Sequence, residues 1–153
     1  MVKKCKMKIV SLLPAASEIL VDLGLLDEIV AVSHECNYPK NLKTKFQITS
    51  SNIPENLEQS AIDLIVTNAI KNHIPLYNIN TNKLSDINPD IIVTQGLCDV
   101  CAISENEIEI TLKNKKCVLQ SHTKIISLNG ITFDDICSDV LNLGELLNKE
   151  TTA

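Results

Sequence analysis

Short β-branched runs recur along this chain, each followed by a stretch of helical periodicity, and that alternation leaves few folds open. Lys8 to Leu13 is a buried-strand pattern. It passes through Pro14 into Ala15 to Leu23, where Ile19, Leu20 and Leu23 share a helical face and Gly24 supplies the stop. Glu28 to Ser33 reads as a second strand, followed by a polar stretch from His34 to about Asn56. Ser60 is expected to cap a helix running through Ile70, with Ile62, Ile65, Val66, Ala69 and Ile70 as its apolar stripe. Leu76 to Ile79 is a third strand, a short helix spans Lys83 to Asn88, and Ile91 to Thr94 is the clearest buried strand. Ser104 to Lys113 fits either helix or strand, and Cys117 to Leu119 and Ile125 to Leu128 are further short strands. The last helix is capped by Thr132 and places Phe133, Ile136, Cys137, Val140, Leu143 and Leu147 on one face, with Asp134 and Asp135 as partners of its dipole. The pattern predicts an α/β, three-layer domain with a mainly parallel β-sheet flanked by helices.

Length and charge narrow the function. The 153 residues suffice for one domain with a core and leave no room for two ordinary ones. All 14 basic residues are Lys, against 19 acidic ones, so the bidentate phosphate and guanine reader Arg is missing. With 3% aromatic residues there are also few stacking platforms, and nucleic acid is not expected as a partner. The Lys clusters at the ends of elements, Lys3, Lys4, Lys6 and Lys8 and then Lys113, Lys115 and Lys116, read as solvated faces. No apolar run approaches the ~20 residues of a membrane helix, so no membrane insertion is expected. The basic start is followed by Ile9 to Pro14, too short for a signal-peptide core and without a cleavage site, so a cytoplasmic location is the literal reading.

Reactive side chains gather after the strands. In an open parallel sheet, ligands bind beyond the carboxyl ends of the strands. After the first strand comes the turn Ser11 to Glu18. After the second comes Ser33-His34-Glu35-Cys36-Asn37-Tyr38-Pro39, and after Thr94 comes Gln95-Gly96-Leu97-Cys98-Asp99-Val100-Cys101-Ala102. Three chemistries fit this edge. His34 and Cys36 with the Cys98/Cys101 CxxC pair would supply an imidazole and three thiolates for zinc or another soft metal. The same pair at a helix start would serve as a redox dithiol, giving a small cytoplasmic metal-binding or thiol-redox domain built on Cys36, Cys98 and Cys101. Alternatively, His34 or a thiolate approaches the metal of a bound chelate. Packing as small apolar residues is the plain alternative for Cys36, and the preferred one for Cys117 and Cys137. His73 reads as a helix-end partner and His122 as an exposed turn residue. Gly-rich phosphate loops, GxSxG elbows and HExxH motifs are missing, and an enzyme is not expected.

These residues carry a resemblance. Ile9-Val-Ser-Leu-Leu-Pro-Ala-Ala-Ser-Glu-Ile, then Ser-His-Glu-Cys-Asn-Tyr-Pro, then Leu84-x-x-Ile87-x-Pro-Asp-Ile-Ile-Val-Thr-Gln-Gly-Leu-Cys-Asp-Val-Cys-Ala resemble the vitamin B12-binding components of ABC transporters. Within that family they are similar to the cobalamin-binding-protein branch, and the likeness runs from Lys8 to about Leu147. Such proteins clamp a ligand between two α/β lobes joined by a long helix. The resemblance implies that residues 1–131 form the N-terminal lobe and 132–153 the start of the interlobe helix, with the second lobe outside this chain. It further implies an extracytoplasmic or membrane-associated place of work, an ABC permease as partner, and cobalamin or another corrinoid as ligand. The cleft-facing contacts it implies are Pro14, Ala15, Ser17, Glu18, His34, Glu35, Tyr38, Gln95 and Leu97, whereas His34, Cys36, Cys98 and Cys101 are metal candidates by their residue types and not by the resemblance. A second lobe, or a second copy, would meet the helix 133–147.

Overall fold

In the computed structural model, which describes residues 6–72, 74–96, 103, 108–109 and 123–153, the first strand, β1 (Ile9–Ser11), occupies the middle of the sheet. It is followed by α1 (Pro14–Asp22), β2 (Ile29–Val32), a 3-10 turn (Lys40–Thr44), β3 (Phe46–Gln47), β4 (Thr49–Ser51) and α2 (Gln59–Asn72). Next come β5 (Tyr77–Ile79), α3 (Thr81–Ile87), β6 (Ile91–Gln95), β7 (Lys124–Leu128) and α4 (Phe133–Leu146). The main sheet has the order β3-β2-β1-β6-β7, and all four of its pairings are parallel. The chain winds outward from β1 through β2 to β3, then returns to β6 on the other side and continues to β7. The winding direction therefore reverses between β1 and β6, the place where doubly wound sheets open a crevice.

Strand burial explains why these runs read as continuous apolar segments. Successive residues serve opposite faces, so Ile9, Ile91 and Val93 enter one core and Val10 and Ile92 the other. The first core is closed by Ala16, Leu20 and Leu23 of α1 and its C-terminal turn, with Leu143 and Leu147 of α4 and its C-cap. The second is closed by Leu84 of α3, by Ile48 and Ile79 around a separate two-stranded sheet, and by Ile103 and Ile108. Helix ends follow local chemistry. Gly24 adopts φ +74° after α1, the Asn80 side chain accepts the Lys83 N–H at 3.0 Å to start α3, and Asn88 closes α3 with φ +47°.

Several expectations are corrected. Within the polar stretch from His34 to about Asn56 stand a 3-10 turn, β3 and β4, elements that were not expected. The third expected strand, β5, pairs antiparallel with β4 outside the main sheet. α2 begins at Gln59, so Ser60 lies inside its first turn and is not its cap. Of its expected stripe only Ala69 is buried, Ile62, Ile65 and Val66 are half-buried, and Ile70 is exposed. In α4 the expected stripe is covered at one end only: Leu143 and Leu147 are buried, whereas Phe133, Ile136 and Cys137 are exposed. Cys137 is therefore a surface thiol instead of a packed one. The Thr132 cap is present as a complete capping box with Asp135. The expected strand Cys117 to Leu119, His73, His122 and most of Ser104 to Lys113 lie outside the described residues.

Candidate functional site at the carboxyl edge of the sheet

The loops that leave β1 and β2 lie side by side, because those strands are hydrogen-bonded neighbours running the same way. Between them, Leu12, Pro14, Ser33, Glu35, Thr49, Tyr77 and Ile103 line a pocket of about 220 Å³. Pro14 opens α1, Ser33 follows β2, and Thr49 and Tyr77 come from the two strands of the small sheet. That sheet stands as a third wall, held to β2 through the Ile48 N–H, which donates to Val32 O at 2.9 Å.

One hydroxyl organises the polar side of this edge. Thr49 Oγ1 accepts the His34 backbone N–H at 3.0 Å, lies 2.7 Å from His34 Nδ1, and lies 3.1 Å from Ser33 Oγ. Ser33 Oγ in turn accepts the Glu35 N–H at 3.4 Å. The imidazole is thereby fixed at its Nδ1 side and tilted by 50° against the Tyr77 ring, 5.7 Å between centroids. Its other nitrogen, Nε2, is buried and makes no hydrogen bond among the described residues. Glu35 Oε1 lies 3.4 Å from it, near enough for an ion pair with a protonated ring but not aligned as a hydrogen bond. A fixed imidazole with one unsatisfied buried nitrogen is a costly arrangement unless something pairs with it.

The expected residues fall into four groups. Glu35 and Pro14 line the pocket with His34 behind them, against Thr49 and Tyr77, and Ala15 and Glu18 are exposed on the adjoining first turns of α1. Tyr38 is also exposed, beside the cis Tyr38–Pro39 bond, and Gln95 is half-buried at the end of β6. Ser17 and Cys36 lie in the core beneath the edge, 0% and 1% exposed. The Cys36 Sγ contacts Ser17 Oγ at 3.1 Å, and burial pushes its thiol pKa up. Leu97, Cys98 and Cys101 lie outside the described residues. Among the described residues no three His, Cys, Asp or Glu side chains converge on a point that would hold a metal, and Cys36 is turned toward Ser17. Thr49 and Tyr77 escaped the sequence reading. The signal was available in the alternation of Tyr77 and Ile79, but the hairpin partner in β4 is a polar Thr-Ser-Ser with no strand character of its own.

A second polar device stands further along the same edge. Asp139 Oδ2 accepts the N–H groups of Asn129 and Gly130 at 2.9 and 2.8 Å, and Asp135 Oδ2 accepts those of Ile131 and Thr132 at 3.3 and 2.9 Å. Four consecutive donors after β7 are thus consumed by two carboxylates of α4. These hydrogen bonds hold the Asp135 carboxyl below the usual carboxylate range, the Thr132 N–H contributing most. By contrast, no side chain caps α1.

No protein-family model matches the chain, and no functionally curated protein matches it. Solved structures do. A possible iron-binding, periplasmic solute-binding protein of Staphylococcus epidermidis is 23% identical, with a TM-score of 0.58. The periplasmic vitamin B12 binding protein BtuF of Vibrio cholerae is 20% identical with a TM-score of 0.61, and the periplasmic heme-binding protein HutB of the same organism 14% with 0.58. In each case the match covers 95% of this chain and 43% of the other. The chain therefore spans less than half the length of these proteins, and its fold is similar to that of one part of each.

Proposed function

We propose that this chain is the N-terminal lobe of a non-enzymatic solute-binding protein that takes a metal chelate, cobalamin or a related corrinoid, and hands it to an ABC permease. Residues 1–131 form the lobe, residues 132–153 begin the connection to a second lobe, and the assembled receptor works outside the cytoplasm. The observation that carries this reading is the half-pocket at the carboxyl edge. Its roughly 220 Å³ falls short of the ~300–1,000 Å³ of a complete small-molecule site. An open half-site on a fold shared with B12-, heme- and iron-binding proteins fits a wall against which one face of a large ligand is laid.

The chemistry of the edge favours a corrinoid over a heme. A corrinoid is fringed with amides, whereas heme carries two carboxylates. The described pocket lining holds one carboxylate, Glu35, and the three hydroxyls of Ser33, Thr49 and Tyr77, with no Lys among these residues, and the N–H groups after β7 already serve Asp135 and Asp139. A carboxylate guest meets repulsion from Glu35, while an amide N–H finds acceptors and an amide carbonyl finds the uncapped start of α1. The reading assigns His34 Nε2, buried and unpaired among the described residues, to pair with a polar substituent of the ligand or with its metal once the ligand is seated.

The test is anaerobic titration of the purified protein with hydroxocobalamin, read by visible absorption, with hemin as comparison. Saturable one-to-one binding of hydroxocobalamin is expected. His34→Ala should weaken it about 2- to 10-fold, the worth of one hydrogen bond, without unfolding the protein. Equal or tighter hemin binding would overturn the corrinoid assignment, and stoichiometric zinc without corrinoid binding would replace it with a metal domain.

A further inference from the structure

Three buried side chains form a line between the loops that leave β1 and β2. Ser11 closes β1, Ser17 lies in α1, and Cys36 belongs to the loop after β2; they are 0%, 0% and 1% exposed. Ser11 Oγ donates to Leu13 O at 3.2 Å, Ser17 Oγ lies 2.8 Å from Ser11 Oγ, and Cys36 Sγ lies 3.1 Å from Ser17 Oγ. The Ser17 hydroxyl has one proton and serves only one neighbour at a time. Its proton is placed to go to Ser11 Oγ or to Cys36 Sγ, so one hydroxyl joins the other two groups.

Of the four residues from Glu35 to Tyr38, Cys36 alone is buried. Its N–H donates to Ser33 O at 3.0 Å, which curls the loop and brings Glu35 to the pocket. We infer that Cys36 is a positioning residue of the binding edge: through Ser17 and Ser11 its thiol ties the loop bearing His34 and Glu35 to the turn bearing Pro14. The two pocket walls are thereby held in register by a buried polar line, the kind of network that specifies one arrangement out of several well-packed ones. The thiol acts from beneath and touches no ligand. The consequence for binding rests on the proposed function above; the tether itself does not.

Hydrogen exchange on the full chain, with the imidazole nitrogen resonances of His34 recorded alongside, decides the matter. Cys36→Ala and Ser17→Ala should each speed exchange of the Cys36 and Asn37 amides about tenfold, the factor a well-formed hydrogen bond can supply. Both should move the His34 resonances, and the double variant should be no worse than either single one. Cys36→Ser, which keeps an acceptor for the Ser17 hydroxyl in nearly the volume of alanine, should return the loop and the ring signals to within about twofold of the parent. Exchange that rises equally in α4, or a Cys36→Ser variant as perturbed as Cys36→Ala, would reduce the thiol to a volume filler and overturn the inference. Hydroxocobalamin affinity should follow the same order among the variants. Should the parent protein bind no hydroxocobalamin, the ligand reading falls while the exchange data still judge the tether.

Discussion

At Thr49, a single hydroxyl group holds three partners, the His34 N–H, the His34 ring and the Ser33 hydroxyl. Thr49→Val keeps the shape and removes all three contacts, leaving half-buried donors behind. A loss of about 1–3 kcal/mol is expected in urea unfolding, alongside weaker ligand binding. The Asp135 carboxyl shows the opposite economy, fully exposed yet engaged with Thr132 and Ile131. Its pKa is lower in the folded protein than in the unfolded chain, so its contribution is present above the unfolded value. It is lost as pH falls through the folded value. Thermal unfolding across the acid range should therefore show a stability loss in the parent protein that is smaller in Asp135→Asn. Gly130 is constrained by space alone, since a Cβ there would stand 2.9 Å from the Ile136 backbone nitrogen. Gly130→Ala should loosen the loop after β7.

The elements differ in how plainly their residues announced them. β1, β2 and β6 are buried on nearly every residue, so their apolar runs were unmistakable, and α4 has its expected cap but buries only the C-terminal end of its expected stripe. β3 and β4 were missed because Phe46–Gln47 is exposed and Thr49–Ser51 is polar; both are strands through neighbours and not through composition. The site was half legible for the same reason. Pro14 and Glu35 follow strong strands and line the pocket, with His34 behind it, while Thr49 and Tyr77 reach it from the weak hairpin and Ser17 and Cys36 turned inward. Within α4 the burial gradient predicts a contrast between its ends. Leu143→Ala, in the core, should cost about 2–5 kcal/mol in chemical denaturation. Phe133→Ser, 79% exposed, should stay within about 0.5 kcal/mol.

For the molecule as a whole, the uncovered end of α4 stands at the same edge of the sheet as the pocket. Ile131 and Phe133, 78% and 79% exposed, follow directly on β7. Apolar groups of this size presented on a loop tied by four N–H bonds fit a surface meant to be covered, by a second lobe or by another copy of the chain. Sedimentation at rising concentration should show self-association that Ile131→Ser with Phe133→Ser abolishes; an unchanged monomer in both would remove this face from the binding scheme. The central place of β1 has a consequence in time. β1 pairs with β6 as well as β2, and the Lys8 N–H is received by Asp90, 82 positions further on. At about 5–20 residues per second on the ribosome, the open flank of β1 waits roughly 4–16 s for its second neighbour. During that interval the nascent chain offers an unpaired apolar strand edge, and chaperone occupancy of ribosome-bound chains should peak before β6 emerges and fall after it.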